Sequence, residues 1–466
     1  MQRLTGLDAT FLYLETPNNH MHVASTAIFD PSDAPDYSFD KVKAMVENRL
    51  PLLPPFRRRL VMVPFGLHHP LWIEDPDFDI NYHVRRAALP SPGGAKELAA
   101  FAADVMSRPL DRNRPLWEMY VVEGLEGGYI GTVTKTHHAA IDGVSGAELT
   151  ANLLDLTPEV AWLDPADDSW QPDRIPSDAE LVGYAARSLA GQPLAAAKAV
   201  RRTAEMALDL RRRNREPDAT PPPAPFSAPN TSINVAITPH RKFAFTQMGL
   251  DDVKQVKNAL GGTVNDVVLA LCSGALRRYF DAKDEIVEGS LVGMIPISVR
   301  TEDEKGAMGN RVSSMLVDLA SNVDDPLERL ATIREATKNA KEQDKAIGAE
   351  TLTDWAEFAA PAVAARAARL YSNMKMADRH RPIFNVTISN VPGPPFPLYS
   401  AGARMMAMYP MGPIADGGGL NITVMSYMDT MNFGLVADAA TIPNVEDIAA
   451  YLDEALDELL KLANAK

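Results

Sequence analysis

Residues 129–143 read YIGTVTKTHHAAIDG, a buried strand that runs into a polar loop. The strand delivers His137 and His138 to this loop, which also carries Asp142 and ends at Gly143, a residue that permits an unusual backbone turn. A neutral imidazole titrates near physiological pH, so a positioned histidine can remove a hydroxyl or thiol proton. Asp142 can hold the loop by an ion pair or orient the ring. Because two adjacent histidines are more often structural than catalytic, the motif alone leaves both interpretations open.

Length and composition place the motif in a large globular protein. The chain has 466 residues, which exceeds one ordinary core and suits two large domains. Hydrophobic residues make up 46% and charged residues 23%, which argues against a disordered or fibrous protein. The net charge of −15 argues against a nucleic-acid partner, although a local basic site can still bind an anionic ligand.

Cysteine usage and hydropathy indicate a cytoplasmic protein, either soluble or peripheral at a membrane. Cys272 is the single cysteine, which excludes an intrachain disulfide and a cysteine-rich zinc site. Asp8 interrupts the N-terminal segment where a signal peptide has an unbroken apolar run. No stretch of about 18 uncharged apolar residues is present, so we expect no membrane-spanning helix.

The chain divides into two mixed α/β parts. We predict an N-terminal lobe over 1–175, a helical and proline-rich linker over 176–235, and a C-terminal lobe over 236–466, with PDATPPPAP at 217–225 marking the boundary. The basic cluster LRRRNR at 210–215 is either a solvated helix end or a contact with anionic lipid.

Periodicity predicts the elements of both lobes. Besides 129–143, strands are predicted at 22–30, 79–87, 241–248, 291–300, 311–320, 383–392, 420–430 and 431–439. Helices are predicted at 39–50, 95–110, 146–156, 250–260, 263–280 and 442–463.

The HHxxxDG motif at a strand end, in a chain of this length, resembles the coenzyme-A-dependent acyltransferases related to chloramphenicol acetyltransferase. Nonribosomal condensation domains share the motif. Within that superfamily the chain is similar to the wax ester synthase/diacylglycerol acyltransferase family over nearly its whole length. The matching segments, in family order, are Leu7-Asp8, Arg114-Pro115-Leu116-Trp117-Glu118, Asn265-Asp266, Pro296-Ile297-Ser298-Val299-Arg300, Gly309-Asn310, Ser389-Asn390-Val391-Pro392-Gly393-Pro394 and GLNITVMSYMDTMNFGLVAD (419–438).

The resemblance implies a fold and an activity. The fold is α/β, with two chloramphenicol-acetyltransferase-like lobes and the active site at their interface. The activity is transfer of a long-chain acyl group from acyl-CoA to diacylglycerol or a fatty alcohol, without an acyl-enzyme. His138 is the implied general base, with His137 beside it, and Asp142 is mainly a structural partner. Arg300 is implied to pair with Asp142 across the lobes.

Other matching residues have two interpretations each. Asn265 is either the oxyanion donor or a helix N-cap. Ser389 and Asn390 begin SNVPGP, which either shapes a channel wall, where they and Gly143 contact substrate, or forms a plain tight turn. Pro115 and Trp117 are predicted to pack rather than to catalyse.

Several further patterns are predicted to be structural. The methionines of ARMMAMYPMGP (403–413) suit varied acyl chains or, more simply, core filling. DGGG (416–419) is predicted to be a turn, because no phosphate-binding glycine pattern surrounds it. Two other histidine pairs, at 20/22 and 68/69, are predicted to be surface or packing residues.

The sequence predicts no metal and no cofactor other than acyl-CoA as co-substrate. No H-E-x-x-H and no G-x-S-x-G pattern occurs. The expected partners are acyl-CoA, a long-chain alcohol or diacylglycerol, and the surface of a membrane or lipid droplet. Two alternatives stay open: an acyltransferase that uses a carrier-protein thioester, and a non-catalytic lipid-droplet-binding protein. No residue distinguishes a fatty alcohol from diacylglycerol as acceptor, or sets the acyl length.

Overall fold

Two six-stranded mixed sheets organise the computed structural model, which describes residues 1–140, 152–164, 170–189, 223–298, 312–347 and 361–465. The described helices are α1 Gly6–Leu14, α2 Phe39–Arg49, α3 Ile80–His83, α4 Ala95–Met106, α5 Asp178–Leu189, α6 Leu250–Leu260, α7 Val264–Asp281, α8 Pro326–Ile347, α9 Pro361–Asn373 and α10 Val445–Asn464. The described strands are β1 Gln2–Arg3, β2 His22–Asp30, β3 Arg58–Val61, β4 Leu71–Glu74, β5 Val84–Ala88, β6 Trp117–Glu123, β7 Ile130–His137, β8 Arg241–Gly249, β9 Val292–Ser298, β10 Val312–Asp318, β11 Val386–Val391, β12 Tyr399–Ser400, β13 Ala403–Met411, β14 Leu420–Tyr427 and β15 Thr430–Asp438.

The strand orders confirm the predicted mixed α/β fold. The first large sheet has the order β12-β13-β2-β7-β6-β5, and the second has the order β10-β9-β11-β14-β15-β8. Each sheet contains parallel and antiparallel pairs; β5 is parallel to β6, whereas β2 is antiparallel to β7. The sheets do not simply follow the chain, because β12 and β13 join the sheet of the N-terminal strands. The predicted division at 176–235 stays a prediction.

Helices α7 and α10 form the core of the second half together with its sheet. Helix α7 is buried along most of its length, and its Ser273 hydroxyl donates to the carbonyl of Leu319 at 2.7 Å. No single described helix is long and apolar enough to cross a membrane. The pair α6 and α7 reaches the required length and composition only together, and it is bent by 100°.

The clearest differences from the structure concern two predicted elements and strand β13. The predicted strand over 79–87 begins with a helical turn, because the Asp79 side chain accepts from the backbone N–H of Asn81 at 2.9 Å; the strand itself starts at Val84. Helix α4 ends at Met106, four residues before the predicted end. Strand β13 was not predicted, because the methionines of 403–413 were interpreted as core filling or as a surface for varied acyl chains and not as strand residues. Most of the predicted helix 146–156 and the basic cluster 210–215 lie outside the described residues.

The structure also describes the methionines of β13, the turn at 416–419 and the two other histidine pairs. Met405, Met408 and Met411 of β13 are buried, as core filling predicts, whereas Met406 is 41% exposed. Gly417 has φ +84° within the predicted turn at 416–419. The histidines at 20, 22, 68 and 69 are all buried, so the surface interpretation of these pairs was wrong.

Candidate active site

His138 begins a short 3₁₀ turn directly after β7. The last residue of β7, His137, lies opposite His22 of β2 in the sheet, and the N–H of His138 donates to the carbonyl of Met21 at 2.9 Å. The Phe11 ring of α1 stacks on the His138 ring, with the ring centroids 4.0 Å apart and the planes inclined by 19°. A strand end and an aromatic ring therefore fix the imidazole from two sides.

The protein surroundings keep the His138 ring neutral. The residue is partly exposed, yet packing around the ring removes water from it and lowers its pKa to about 4. Its own backbone carbonyl acts in the opposite direction, and the neighbouring His137 lowers the pKa further. At pH 7 the ring is therefore uncharged, which is the state in which an imidazole accepts a proton. Nδ1 is shut off from solvent, so Nε2 is the nitrogen available to a substrate.

His137 has a different environment and holds the turn. Its Nδ1 accepts a hydrogen bond from the N–H of Ala139 at 3.0 Å, and its Nε2 lies 3.4 Å from Oε2 of Glu15. Because Nδ1 accepts, the ring proton lies on Nε2 and faces the carboxylate. Arg112 donates from Nε to the same Glu15 oxygen at 3.0 Å. A series of contacts thus links the end of α1 and the segment before β6 to the turn that carries His138. It runs from Arg112 through Glu15 and His137 to Ala139.

The surroundings of Glu15 and His137 determine which of the two side chains is charged. Burial acts to raise the pKa of Glu15, but the hydrogen bond with His137 and the charge of Arg112 outweigh it, so the pKa is lowered. Burial lowers the pKa of His137, and Glu15 offsets part of that effect. An ionised Glu15 beside a neutral His137 is the arrangement that these shifts favour.

Further polar side chains lie beside His137, on strands β2 and β7 or directly next to them. The His22 ring makes an edge contact with His137 at 5.8 Å between centroids, and His20 stacks on His22 at 5.5 Å. Neither ring nitrogen of His22 has a hydrogen-bond partner in the part of the chain that the structure describes, and burial holds its pKa well below the usual range. The Lys135 ammonium donates to the carbonyls of Val105 and Arg108, and its burial lowers its pKa to about 8.

Sequence reasoning missed the residues that support the two motif histidines. Glu15, Arg112 and His22 lie far from the motif along the chain, and Phe11 is one of several apolar residues in α1. One local signal was available for Lys135: a lysine in the middle of an otherwise apolar and β-branched strand.

Asn265 lies at the second position of α7 and does not cap it. Thr263 is the N-cap, since its hydroxyl accepts from the N–H of Asp266 at 3.2 Å while the Asp266 carboxylate accepts from the N–H of Thr263 at 2.8 Å. The capping interpretation of Asn265 was therefore wrong. The Asn265 amide is half-buried in the first turn of this 18-residue helix. The positive end of the helix dipole favours an anion at this position.

The structure also describes two other pairs of predicted residues, Ser389 with Asn390 and Pro115 with Trp117. Ser389 and Asn390 are adjacent, half-buried residues near the end of β11, opposite Thr423 and Val424 of β14. Trp117 is fully buried at the start of β6, and its indole N–H donates to the carbonyl of Phe56 at 2.9 Å.

Pro115 is buried immediately before the Trp117 strand. Asp142, Gly143 and Arg300 lie outside the described residues, and so does the predicted Asp142–Arg300 pair. Among the residues that the structure describes, no group of three or more histidine, cysteine or acidic side chains is placed to hold a metal ion.

The arrangement of two six-stranded mixed sheets, with a histidine pair at the end of β7, is a fold that solved structures share. The first condensation domain of the CDA synthetase has this fold, with a TM-score of 0.55 at 15% identity over 99% of this chain and 96% of that domain. The wax ester synthase/diacylglycerol acyltransferase from Marinobacter aquaeolei VT8 is closer, with a TM-score of 0.69 at 30% identity over 99% of this chain and 100% of that one.

Sequence comparisons identify the family. The profile of the wax ester synthase/diacylglycerol acyltransferase catalytic domain matches residues 4–268, and that of the family's C-terminal domain matches 308–460. A Mycobacterium tuberculosis (strain CDC 1551 / Oshkosh) protein, provisionally named a diacylglycerol O-acyltransferase, is 38% identical over all of this chain and 91% of its own length. A Mycobacterium bovis protein with the same provisional name is 36% identical over 97% of both chains. The chain belongs to the wax ester synthase/diacylglycerol acyltransferase family of acyltransferases.

Proposed function

We propose that the protein is an acyl-CoA-dependent O-acyltransferase that transfers a long-chain acyl group to diacylglycerol, to a fatty alcohol, or to both. His138 is its general base. The observation that carries this proposal is the neutral His138 ring at the end of β7, stacked on Phe11, with a pKa lowered to about 4. Membership of the family supplies the acyl-transfer chemistry to which such a base belongs.

In the proposed reaction, Nε2 of His138 removes the proton of the acceptor hydroxyl while that oxygen attacks the thioester carbonyl. The C–O bond forms, and the carbonyl π electrons move to oxygen to give a tetrahedral oxyanion. Collapse of this intermediate breaks the C–S bond, and the CoA thiolate takes the proton back from the imidazolium. A low pKa in the resting state does not prevent this step, because the developing oxyanion beside the ring favours its charged form.

Direct transfer is favoured over a cysteinyl acyl-enzyme. Cys272 is the single cysteine of the chain and is fully buried within α7. Burial raises the pKa of its thiol to about 12, so the nucleophilic thiolate is negligible at pH 7. Asn265 is the proposed donor to the oxyanion, because its amide does not cap α7 and lies in the first turn of that helix.

The acceptor classes come from the relatives. The mycobacterial proteins are provisionally named for diacylglycerol, whereas the Marinobacter protein is named for wax esters and diacylglycerol. Both acceptors present one hydroxyl on a long apolar molecule, so the same base serves either. We further propose that the enzyme acts in the cytoplasm at the surface of a membrane or lipid droplet, where such acceptors and their ester products reside.

The test is thiol release from palmitoyl-CoA, with hexadecanol and separately with dipalmitoylglycerol. We expect turnover that requires an acceptor, is abolished in His138→Ala, and is reduced less in His137→Ala. His240→Ala, which removes an exposed histidine, is the matched control and should behave like wild type. Equal losses in the His137 and His138 variants would overturn the assignment of the base. Absence of turnover with both acceptors, in folded protein, would favour a carrier-protein donor or a non-catalytic lipid-binding role.

A further inference from the structure

The outer face of α9 is an apolar stripe exposed to solvent. Val363 is 67% exposed, Leu370 is 59% exposed, and Met374, directly after the helix, is 43% exposed. Spacings of seven and four residues place these side chains along one side of a helix. The opposite side, which includes Ala364 and Ala365, packs against α1. Since amphipathic helices normally turn the apolar stripe inward, an exposed second stripe calls for another explanation.

The loop between β3 and β4 adds three more exposed apolar side chains next to α9. Met62 is 50% exposed, Phe65 is 87% exposed, and Leu67 is 41% exposed. Phe65 has φ +58°, a left-handed conformation that is rare for a bulky residue. No charged residue occurs from 61 to 73, and the loop lies beside α9. We call the combined surface the apolar face, which consists of Met62, Phe65, Leu67, Val363, Leu370 and Met374.

Positive charge flanks the apolar face, although the chain carries a net charge of −15. Between 361 and 381 the one acidic residue is Asp378, whereas the exposed basic residues of that segment are Arg366, Arg369, Lys375, Arg379 and Arg381. A basic flank beside exposed apolar side chains complements a surface that is negative outside and apolar beneath. An anionic lipid surface has both properties.

We propose that the apolar face and its basic flank dock the protein on an anionic lipid surface. The apolar side chains enter the boundary between headgroups and acyl chains, and the arginines and lysine contact the phosphates. Helix α9 packs on α1, whose Phe11 stacks on His138, so docking brings the lipid beside the helix that contacts the base. The choice of lipid rests on the proposed function, since the proposed acceptor and product are both lipids.

The test is flotation of the purified full-length protein with lipid vesicles. Vesicles of phosphatidylglycerol and phosphatidylcholine in equal parts supply the anionic surface, and phosphatidylcholine alone is the neutral comparison. Wild type should bind the anionic vesicles, and less so at high salt. F65N/L370Q and R366E/R369E should each weaken binding by at least about tenfold, a change of ~1.4 kcal/mol. Asparagine tolerates the left-handed backbone of Phe65, and the other three side chains are exposed, so both variants should fold.

Two matched controls separate a defined face from general charge or hydrophobicity. I286Q removes a side chain that is 90% exposed after α7, and K338E/K341E reverses two exposed charges with the same helical spacing in α8. Both should bind vesicles as wild type does. Equal loss in these controls, or no binding by wild type, would overturn the proposal. Sedimentation that shows a wild-type dimer and an F65N/L370Q monomer would also overturn it, by assigning the face to self-association.

The proposed function can fail independently of the docking surface. Thiol release with a detergent-dispersed acceptor does not require vesicles, and we expect it to be unchanged in F65N/L370Q and R366E/R369E. Turnover without vesicle binding would reject the docking proposal and leave the acyltransferase. Vesicle binding without turnover would reject the acyltransferase and leave the docking surface.

Discussion

Replacement of Glu15 by alanine removes the support of the turn that carries His138, the proposed base, while leaving both motif histidines in place. The Glu15 carboxylate lies 3.4 Å from Nε2 of His137 and keeps the ring proton on that nitrogen. Nδ1 is then free to accept from the N–H of Ala139 at 3.0 Å. Without the carboxylate the proton can move to Nδ1, where it would face the Ala139 donor, and the turn that carries His138 would lose its anchor. We therefore expect kcat to fall.

The expected size follows from the contacts that are lost. A hydrogen bond to a charged group contributes about 1.5–3 kcal/mol. If that energy is lost from the transition state, kcat falls roughly 10- to 150-fold. The stability cost should be smaller, because the Arg112 side chain is 31% exposed and its guanidinium also donates to the carbonyl of Leu12 at 3.0 Å. Glu15→Gln keeps an acceptor oxygen for Nε2–H, so it should lose less activity than Glu15→Ala.

Three measurements decide the matter. Steady-state thiol release gives kcat and KM, thermal unfolding gives stability, and nitrogen NMR of histidine-labelled protein reports which ring nitrogen of His137 carries the proton. Glu123→Ala is the matched control, because it removes a carboxylate from an exposed ion pair with Arg86 in the same sheet. Unchanged kcat in folded Glu15→Ala, or an unchanged His137 tautomer, would refute the reasoning.

Further predictions concern pH and the lone cysteine. The pKa of His138 is about 4 rather than 6.5, so kcat/KM should change little between pH 7.5 and pH 5.5. A histidine with an unshifted pKa would lower kcat/KM about tenfold over the same range. A pH–rate profile measures this, and a half-maximum near pH 6.5 would contradict the expectation. Burial lowers the pKa of His83 from 6.5 to about 4, so the unfolded state takes up the proton first, and His83 should remove about 2–3 kcal/mol of stability as the pH falls from 7 to 4.5. Urea unfolding at both pH values should show a smaller loss for His83→Gln. The Cys272 thiol is protonated and buried. Turnover should therefore stay within about twofold of wild type in Cys272→Ala, and in the wild-type enzyme after treatment with a thiol reagent at pH 7.5. Inactivation of the folded enzyme by the reagent would contradict direct transfer.

Local patterns predicted the elements whose ends carry strong sequence signals. The predicted bounds of β2 and α6 are those of the structure, 22–30 and 250–260. Helix α6 is bounded by glycines, Gly249 at its N-cap and Gly261 with φ +87° at its C-cap, and glycines of this kind are visible in a sequence. At Asp79 the same kind of reasoning failed, because an aspartate that caps one helical turn was interpreted as part of a strand.

The environment of the candidate site was not predictable in the same way. The motif itself identified His138, but its stacking on Phe11 and the contact between Glu15 and His137 depend on how α1 folds back onto β7. A sequence pattern describes neighbours along the chain, whereas these contacts join residues that are far apart in it. The alternation of β13 was likewise not visible in the sequence, because five of its nine residues from 403 to 411 are methionine or tyrosine and they lie on both faces.

The position of His138 depends on the C-terminal half as much as on the motif. Strand β7 pairs with β2 along eight residues, from the pair His22–His137 to the pair Phe29–Ile130. The other edge of β2 pairs with β13, which lies more than 370 residues later in the chain. Without β13, the backbone of β2 would be an open sheet edge, and the strand that holds His137 opposite His22 would lose its lateral support. The N-terminal half therefore carries His138, the proposed base, but the C-terminal half is needed to hold it in place.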